Sequence, residues 1–173
     1  MILRREGYWT TSSFKVELTK EEKRQVDRHS TPRWEIDLLA YKGATNELLV
    51  VECKSFLDST GVVFRNGAFE PPERYKLFSD SVLREVVLKR LAIQLQESGA
   101  CAQSPVIRLA LATGKIARKT DMEALKLHFQ ANGWLLFDSA WVQQKLASTM
   151  DAGYENEVAL VVTKILLRAN ESA

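Results

Sequence analysis

The sequence is poor in several residue types, and each shortage excludes a class of protein. Its 173 residues include two cysteines and two histidines, too few for a disulfide framework or a clustered histidine-metal centre. His29 and His128 are far apart in the chain and are expected to be structural. No run approaches the roughly 18 apolar residues of a membrane span, and the N-terminus lacks the apolar segment of a signal peptide. These absences predict a cytoplasmic protein with no membrane-spanning segment.

The sequence also lacks a clear excess of positive or negative charge. The chain carries 24 Lys and Arg against 22 Asp and Glu, a net charge of only +2. A polyanion would therefore have to be held by a local basic cluster rather than by a global positive field.

The distribution of apolar residues predicts one domain over residues 1–173 with an α/β fold. Strand patterns occupy roughly 7–18, 34–42, 47–55, 105–113 and 134–138, and helical patterns occupy 80–98, 120–133, 139–149 and 155–169. A capping box is expected at Thr120 and Glu123 and a type I′ hairpin at Asn66-Gly67. Residues 19–33 are expected to form a polar loop with room for one helical turn. The order predicts a mixed sheet with an antiparallel hairpin start, parallel crossovers and helices on both faces. Its core would span about 8–138, followed by C-terminal helices over about 139–170.

Four charged residues interrupt the apolar strands of the first hairpin. A four-residue turn between these strands would put Asp37 opposite Glu52 and Glu35 opposite Lys54, all on one face. Cys53 would then point to the opposite, apolar face and belong to the core. Ionised side chains are rarely buried unless they are paired or bind a metal, so these four residues either cancel one another or form a site.

The chemistry of the cluster centres on two opposed carboxylates. Like charges directly opposite each other are destabilising, so Asp37 and Glu52 require a cation or a shared proton. Mg²⁺ takes carboxylate and carbonyl oxygens and keeps several waters, and it would resolve this repulsion. The alternative is a salt-bridged polar patch at the end of a sheet, without a site.

At these residues the sequence resembles the PD-(D/E)XK nuclease superfamily, which has the restriction-endonuclease-like fold. The matching signature is Asp37, a gap of 14 residues, and then Glu52-Cys53-Lys54, on adjacent strands of a hairpin. Two features depart from the family pattern. Ile36 replaces the proline that often precedes the first acid, and Glu6 is the only acid ahead of the first strand, where many members have a helix with an acidic residue.

The resemblance implies a metal-dependent DNA endonuclease and a role for each motif residue. Asp37, Glu52 and the backbone carbonyl of Cys53 would ligate Mg²⁺, for which Mn²⁺ could substitute. The metal would polarise the scissile phosphate and acidify a water. Lys54 would orient that water and offset charge on the phosphate. Glu35 would act through its pairing with Lys54.

A basic segment follows the fourth predicted strand. A strand–helix–strand crossover makes two strands parallel, so the strand over 105–113 should end at the same sheet edge as Lys54. Lys115, Arg118 and Lys119 would then lie near the metal and bind DNA phosphates, and Arg65 of the Asn66-Gly67 hairpin could flank the same cleft. An ordinary solvated loop is the alternative, since basic loops are common.

Two other functions stay open at this point. One is a catalytically silent nucleic-acid-binding or assembly module with the same fold, and the other is an unrelated α/β domain with a structural salt-bridge patch. For the nuclease, the short chain favours nonspecific or structure-selective cleavage, or a role as a subunit of a larger DNA-processing system.

The last predicted helix suggests a homodimer. It carries large apolar residues at helical spacing, namely Val158, Val161, Val162, Ile165, Leu166 and Ala169. Packing on the chain's own sheet is the usual role of such a stripe. A symmetric dimer is the expectation here, because it would place two active sites on a duplex.

Overall fold

The computed structural model describes residues 1–27, 33–149 and 157–171, and its side chains through Leu167, so His29 lies outside the described residues. The strands are β1 Trp9–Val16, β2 Trp34–Lys42, β3 Glu47–Lys54, β4 Val63–Arg65, β5 Ala68–Glu70, β6 Val106–Thr113 and β7 Leu135–Phe137. The α-helices are α1 Ile2–Arg5, α2 Lys20–Gln25, α3 Lys76–Ser79, α4 Ser81–Glu97, α5 Lys119–Ala131, α6 Ser139–Ala147 and α7 Val158–Glu171. A 3-10 helix spans Pro72–Tyr75. Within the described ranges, no helix combines the length and apolar character needed to cross a membrane.

Five strands form one mixed sheet in the order β1-β2-β3-β6-β7. The pairs β1–β2 and β2–β3 are antiparallel, whereas β3–β6 and β6–β7 are parallel. The predicted α/β architecture, with an antiparallel start and parallel crossovers, is therefore confirmed. The separate β4–β5 hairpin turns at Asn66 and Gly67, whose φ angles of 51° and 77° are both positive, as the predicted type I′ turn requires.

Helices cover both faces of the sheet. One face, here called the α4 face, packs against α4 and α5 and forms the larger core with residues such as Leu91 and Phe129. The other, here called the α6 face, meets α1 and α6 through Leu3 and Trp141 and forms a smaller core. Strands such as β3 are apolar on both sides because each side has a helical layer to meet.

The longest helix, α4, shows how the sequence pattern positions these layers. Asp80 caps its N-terminus by accepting a hydrogen bond from the Leu83 N–H at 2.9 Å. Leu83, Leu91 and Leu95 recur at multiples of four residues and are almost fully buried. The helix ends before Gly99, which has a φ of 71°.

One capping prediction is wrong, and the capping box lies elsewhere. The box expected over Thr120–Glu123 is not formed, because α5 begins one residue earlier at Lys119 and its N-cap, Arg118, makes no side-chain cap bond. A capping box instead starts α2, in the segment expected to be a loop. There the Glu22 N–H donates to Thr19 Oγ1 at 3.2 Å, and the Thr19 N–H donates to Glu22 Oε2 at 2.8 Å.

Candidate active site

The sheet forks between β2 and β3 at the two acidic residues of the motif. The ladder between these strands has the predicted register and ends with Leu38 opposite Val51. Beyond that pair, β2 continues beside β1 and β3 continues beside β6 to the end of each strand. Asp37 and Glu52 are the first residues past the last pair, so they stand on the two sides of the fork.

An irregularity in β1 and β2 accompanies the fork. Ser13, at the β1 position across from Asp37, has a φ of 53° and is missing from an otherwise continuous ladder. Side chains alternate normally from Leu38 onward, with Leu38 on the α6 face and Leu39 on the α4 face. Ile36 nevertheless packs on the α4 face, although strict alternation would put it with Leu38. The regular pleat is therefore interrupted at Asp37.

The carboxylate of Asp37 bridges the fork. Its Oδ2 accepts a hydrogen bond from the backbone N–H of Cys53 at 2.7 Å. Beyond the last β2–β3 pair this N–H faces the gap, where an unpaired donor would be unfavourable, and the carboxylate supplies a charge-assisted acceptor. Asp37 is therefore fixed next to the Glu52-Cys53-Lys54 segment rather than extended into solvent.

Glu52 and Lys54 form a close ion pair at the same place. Lys54 Nζ lies 2.6 Å from Glu52 Oε1, and the side chains are only 21% and 17% exposed. Desolvation raises the pKa of Glu52 above its ordinary value, the Lys54 hydrogen bond and charge act to lower it, and the charge of Asp37 raises it further. The ionised form of Glu52 is thus less favourable here than in water, and a second cation would stabilise it.

The expected pairing of Lys54 with Glu35 is wrong. Glu35 is exposed and forms no ion pair with any described residue, whereas Lys54 binds Glu52. The reason is the fork, because β2 follows β1 beyond Leu38 and Glu35 lies opposite Lys15 rather than opposite β3. The structure therefore gives no contact through which Glu35 would support Lys54.

Cys53 does not lie in the core, contrary to the expectation. It points to the α6 face, as alternation with Val51 requires, but its side chain is exposed. It lines an open cavity of about 390 Å³, together with Leu57, Ala112 and Val142. Partial shielding of the thiol from water, together with the charges of the two nearby carboxylates, raises the pKa of Cys53 to about 11, against the lowering effect of Lys54.

The basic segment lies at the sheet edge where β3 ends. Lys54 is paired with the last residue of β6, and its carbonyl oxygen accepts a hydrogen bond from the Gly114 N–H at 3.1 Å. Lys115, Arg118 and Lys119 follow within five residues and are exposed. The predicted placement of this segment beside the end of β3 is therefore correct, and its role in binding DNA stays a prediction.

The basic segment is held tightly against the chain that follows β3. Lys115 Nζ donates to the carbonyl of Ser59 at 2.7 Å, and the Lys115 carbonyl accepts from the Val62 N–H at 2.9 Å. A Cβ on Gly114 would lie 2.3 Å from the Ser55 carbonyl oxygen. Only a glycine fits this contact, so the two loops form one rigid edge next to Lys54.

Arg65 is placed differently from the other predicted DNA-binding residues. Its guanidinium lies 3.6 Å from Glu70 and 3.9 Å from Asp121, a buried acid in the first turn of α5. These contacts tie the β4–β5 hairpin to α5. The charge of Arg65 is thus already balanced within the chain.

Tyr75 lies near the site and was missed by the sequence analysis. Its ring is 2% exposed and stacks on Phe69 at 4.3 Å. Burial raises the pKa of its hydroxyl, Arg74 lowers it, and the negative charge of Glu52 raises it further. Tyr75 ends a short 3-10 helix outside any periodic pattern, so no local sequence signal identified it.

The acid ahead of β1 does not join the site. Glu6 binds Lys145 of α6, on the α6 side of the molecule. His128 is also structural, as expected, because it packs 5.0 Å from the ring of Phe64 and 5.4 Å from that of Trp134, and burial lowers its pKa.

The oxygen donors at the fork suit a hard divalent cation. No cluster of three or more His, Cys, Asp or Glu side chains is arranged for metal binding in the described part of the chain. The fork offers two carboxylates, those of Asp37 and Glu52, together with backbone carbonyls of β3. Mg²⁺ is commonly bound by one or two carboxylates and retained waters, so this donor set fits it.

Comparisons of the chain with protein-family models, with curated proteins and with solved structures each found no match.

Proposed function

We propose that the protein is a metal-dependent DNA endonuclease of the PD-(D/E)XK type with a restriction-endonuclease-like core. The observation that carries the proposal is the fork, which brings together Asp37, Glu52 and Lys54 at one end of the largely apolar strands β2 and β3. A carboxylate with a raised pKa, such as Glu52, beside a second acid and a lysine is typical of functional sites.

In this proposal Asp37, Glu52 and the carbonyl of Cys53 hold Mg²⁺ or Mn²⁺. The bound cation supplies Lewis-acid stabilisation of the phosphate and lowers the pKa of a water. Asp37 is already positioned by the Cys53 N–H, so its second oxygen is available for the metal. Phosphodiester hydrolysis of this kind depends mainly on positioning and on electrostatic stabilisation.

Lys54 would change partner during the reaction. Its ammonium now neutralises Glu52 at 2.6 Å. With that carboxylate held by a metal ion, Lys54 would be free to orient the attacking water and to offset the charge on the phosphate. The ion pair is therefore interpreted as the resting form of the site.

The exposed basic residues Lys115, Arg118 and Lys119 would contact DNA phosphates beside the scissile bond. Three such contacts predict that the logarithm of the binding constant falls with the logarithm of salt concentration with a slope of about −3. We propose nonspecific or structure-selective cleavage, with the chain acting alone or as a subunit of a larger DNA-processing system.

The test is to incubate the full chain with supercoiled plasmid in Mg²⁺, in Mn²⁺ and in EDTA, and to measure duplex binding by fluorescence anisotropy over a salt series. Nicking that requires the metal supports the nuclease. Salt-dependent DNA binding without nicking would favour the silent nucleic-acid-binding module. If the chain neither binds nor nicks DNA, the cluster is a structural salt-bridge patch.

A further inference from the structure

Helix α7 is apolar on two sides, and the described part of the chain covers only one of them. Leu160 is 1% exposed and anchors the helix, while Glu157 just before it lies 3.7 Å from Arg4. The other side carries five large apolar residues, here called the α7 stripe, which are 44–79% exposed: Val158, Val161, Val162, Ile165 and Leu166. A wide apolar face of a helix normally packs against another part of the protein or against a partner.

The stripe differs from the other exposed apolar residues of the described chain. Those are Trp9, Leu57, Val82, Val106 and Leu127, and each lies in a different strand, helix or loop. Single exposed apolar residues are normal on protein surfaces, whereas a contiguous patch indicates an interaction site. Half of the large exposed apolar residues occupy two turns of one helix.

The composition of α7 indicates whether a membrane or a protein covers the stripe. Helices that lie on membranes carry a polar face rich in Lys and Arg. Residues 157–171 contain two acids, one Lys and one Arg, so they have no net positive charge to attract anionic lipid. The stripe itself contains no charged residue, which is typical of the core of a protein–protein interface.

The spacing of the stripe residues suits packing against the same helix of a second copy of the chain. Its residues recur at intervals of three and four, the spacing with which two helices interlock along a seam. Each exposes on the order of 100 Å² of surface, so the stripes of a symmetric pair would bury at most roughly 1,000 Å², about the lower limit for a specific interface. The expected dimer is therefore reversible and depends on protein concentration.

We propose that the protein forms a homodimer in which the α7 stripes of two copies pack antiparallel across a two-fold axis. The antiparallel arrangement sets opposite ends of the helix dipoles side by side, which is favourable. Val162 would lie at the axis, with Val158 of one copy opposite Leu166 of the other. This interface does not depend on the proposed nuclease activity, since it stands on residues remote from the fork in sequence.

The first test is multi-angle light scattering of the full chain over a range of concentrations. The wild type should approach twice the monomer mass, and a chain with both Val161→Glu and Ile165→Glu should stay monomeric. Because these side chains are exposed in the single chain, the double variant should keep the wild-type circular dichroism spectrum. Leu127→Glu, at an equally exposed but isolated leucine, should leave the dimer intact.

The second test determines how the two α7 helices are arranged in the dimer. In a Cys53→Ser, Cys101→Ser background, Val162→Cys should form an intermolecular disulfide with diamide as the oxidant, and Leu127→Cys should not. A wild type that is monomeric at every concentration would overturn the proposal, and so would a double variant that still dimerises. A dimer that Val162→Cys does not cross-link would overturn the two-fold packing.

Discussion

Replacing Asp37 by Asn removes one negative charge from the fork and leaves the shape of the side chain almost unchanged. The Cys53 N–H, now 2.7 Å from Asp37 Oδ2, keeps an acceptor in the amide oxygen. The substitution thus weakens one hydrogen bond and relieves the like-charge effect of Asp37 on Glu52. Its net effect on stability is the difference between these two terms.

The two terms are similar in size. A hydrogen bond to a neutral rather than a charged acceptor is weaker by about 1 kcal/mol. Two like charges separated by about 6 Å repel by roughly 2–3 kcal/mol at an effective dielectric constant near 20, and the Lys54 ammonium offsets about half of that. Without metal, Asp37→Asn should therefore be as stable as the wild type or up to about 1 kcal/mol more stable. For a chain of this size that is a rise in Tm of at most about 4 °C.

A divalent metal should raise the Tm of the wild type but not that of Asp37→Asn. At a concentration ten times Kd, a cation that binds only the folded state adds about 1.4 kcal/mol, or roughly 3–6 °C in Tm. The assay is thermal unfolding followed by circular dichroism, in EDTA and in Mg²⁺ or Mn²⁺ at matched ionic strength. The wild type and the Glu35→Gln control should show this rise, and Asp37→Asn should lose it. An equal rise in Asp37→Asn, or a large fall in its Tm without metal, would refute the ligand role.

Three other predictions concern the surroundings of the fork. Because the pKa of Glu52 is raised in the folded state, stability without metal should fall as pH rises through that pKa. The Mg²⁺-induced rise in Tm should grow over the same interval, since the metal binds the ionised carboxylate, and Glu52→Gln should abolish both trends in melts against pH. Gly114→Ala should lower the free energy of unfolding in urea by about 1–3 kcal/mol, because its Cβ would meet the Ser55 carbonyl oxygen at 2.3 Å, whereas Gly43→Ala, with 3.9 Å of clearance, should change it little. With a pKa of about 11, Cys53 should be only about 0.1% thiolate at pH 8 and should react slowly with iodoacetamide despite its exposure. Mass spectrometry of the modified peptide measures the rate, and bound Mg²⁺ should increase it.

The strands and their register were predictable because β2 and β3 are bounded by a short turn. Once the loop Gly43–Asn46 is assigned, Lys42 must face Glu47, and every later pair up to Leu38 and Val51 follows from it. The Asn-Gly hairpin and the long amphipathic helix α4 were predictable for similar reasons, since both depend on local backbone chemistry and periodicity.

The fork was not predictable from alternation, because it depends on competition between neighbouring strands. Beyond Leu38, β2 can stay hydrogen-bonded to β1 or to β3. The register of one strand pair does not show which of the two neighbours keeps its hydrogen bonds. As a result the sequence put Glu35 beside Lys54, whereas the structure leaves Lys54 with Glu52. Tyr75 was missed for a related reason, since tertiary packing of a short 3-10 helix brings its hydroxyl close enough for the charge of Glu52 to raise its pKa.

The single-turnover rate of plasmid nicking by Lys54→Ala tests the central claim most directly. DNA binding should be unchanged, but nicking in saturating Mg²⁺ should be slower by on the order of 10²–10³, the loss expected for an electrostatic stabiliser. Lys42→Ala, at the opposite end of the same hairpin, should nick at the wild-type rate. A Lys54→Ala protein that nicks as fast as the wild type would contradict the assignment of the fork as an active site.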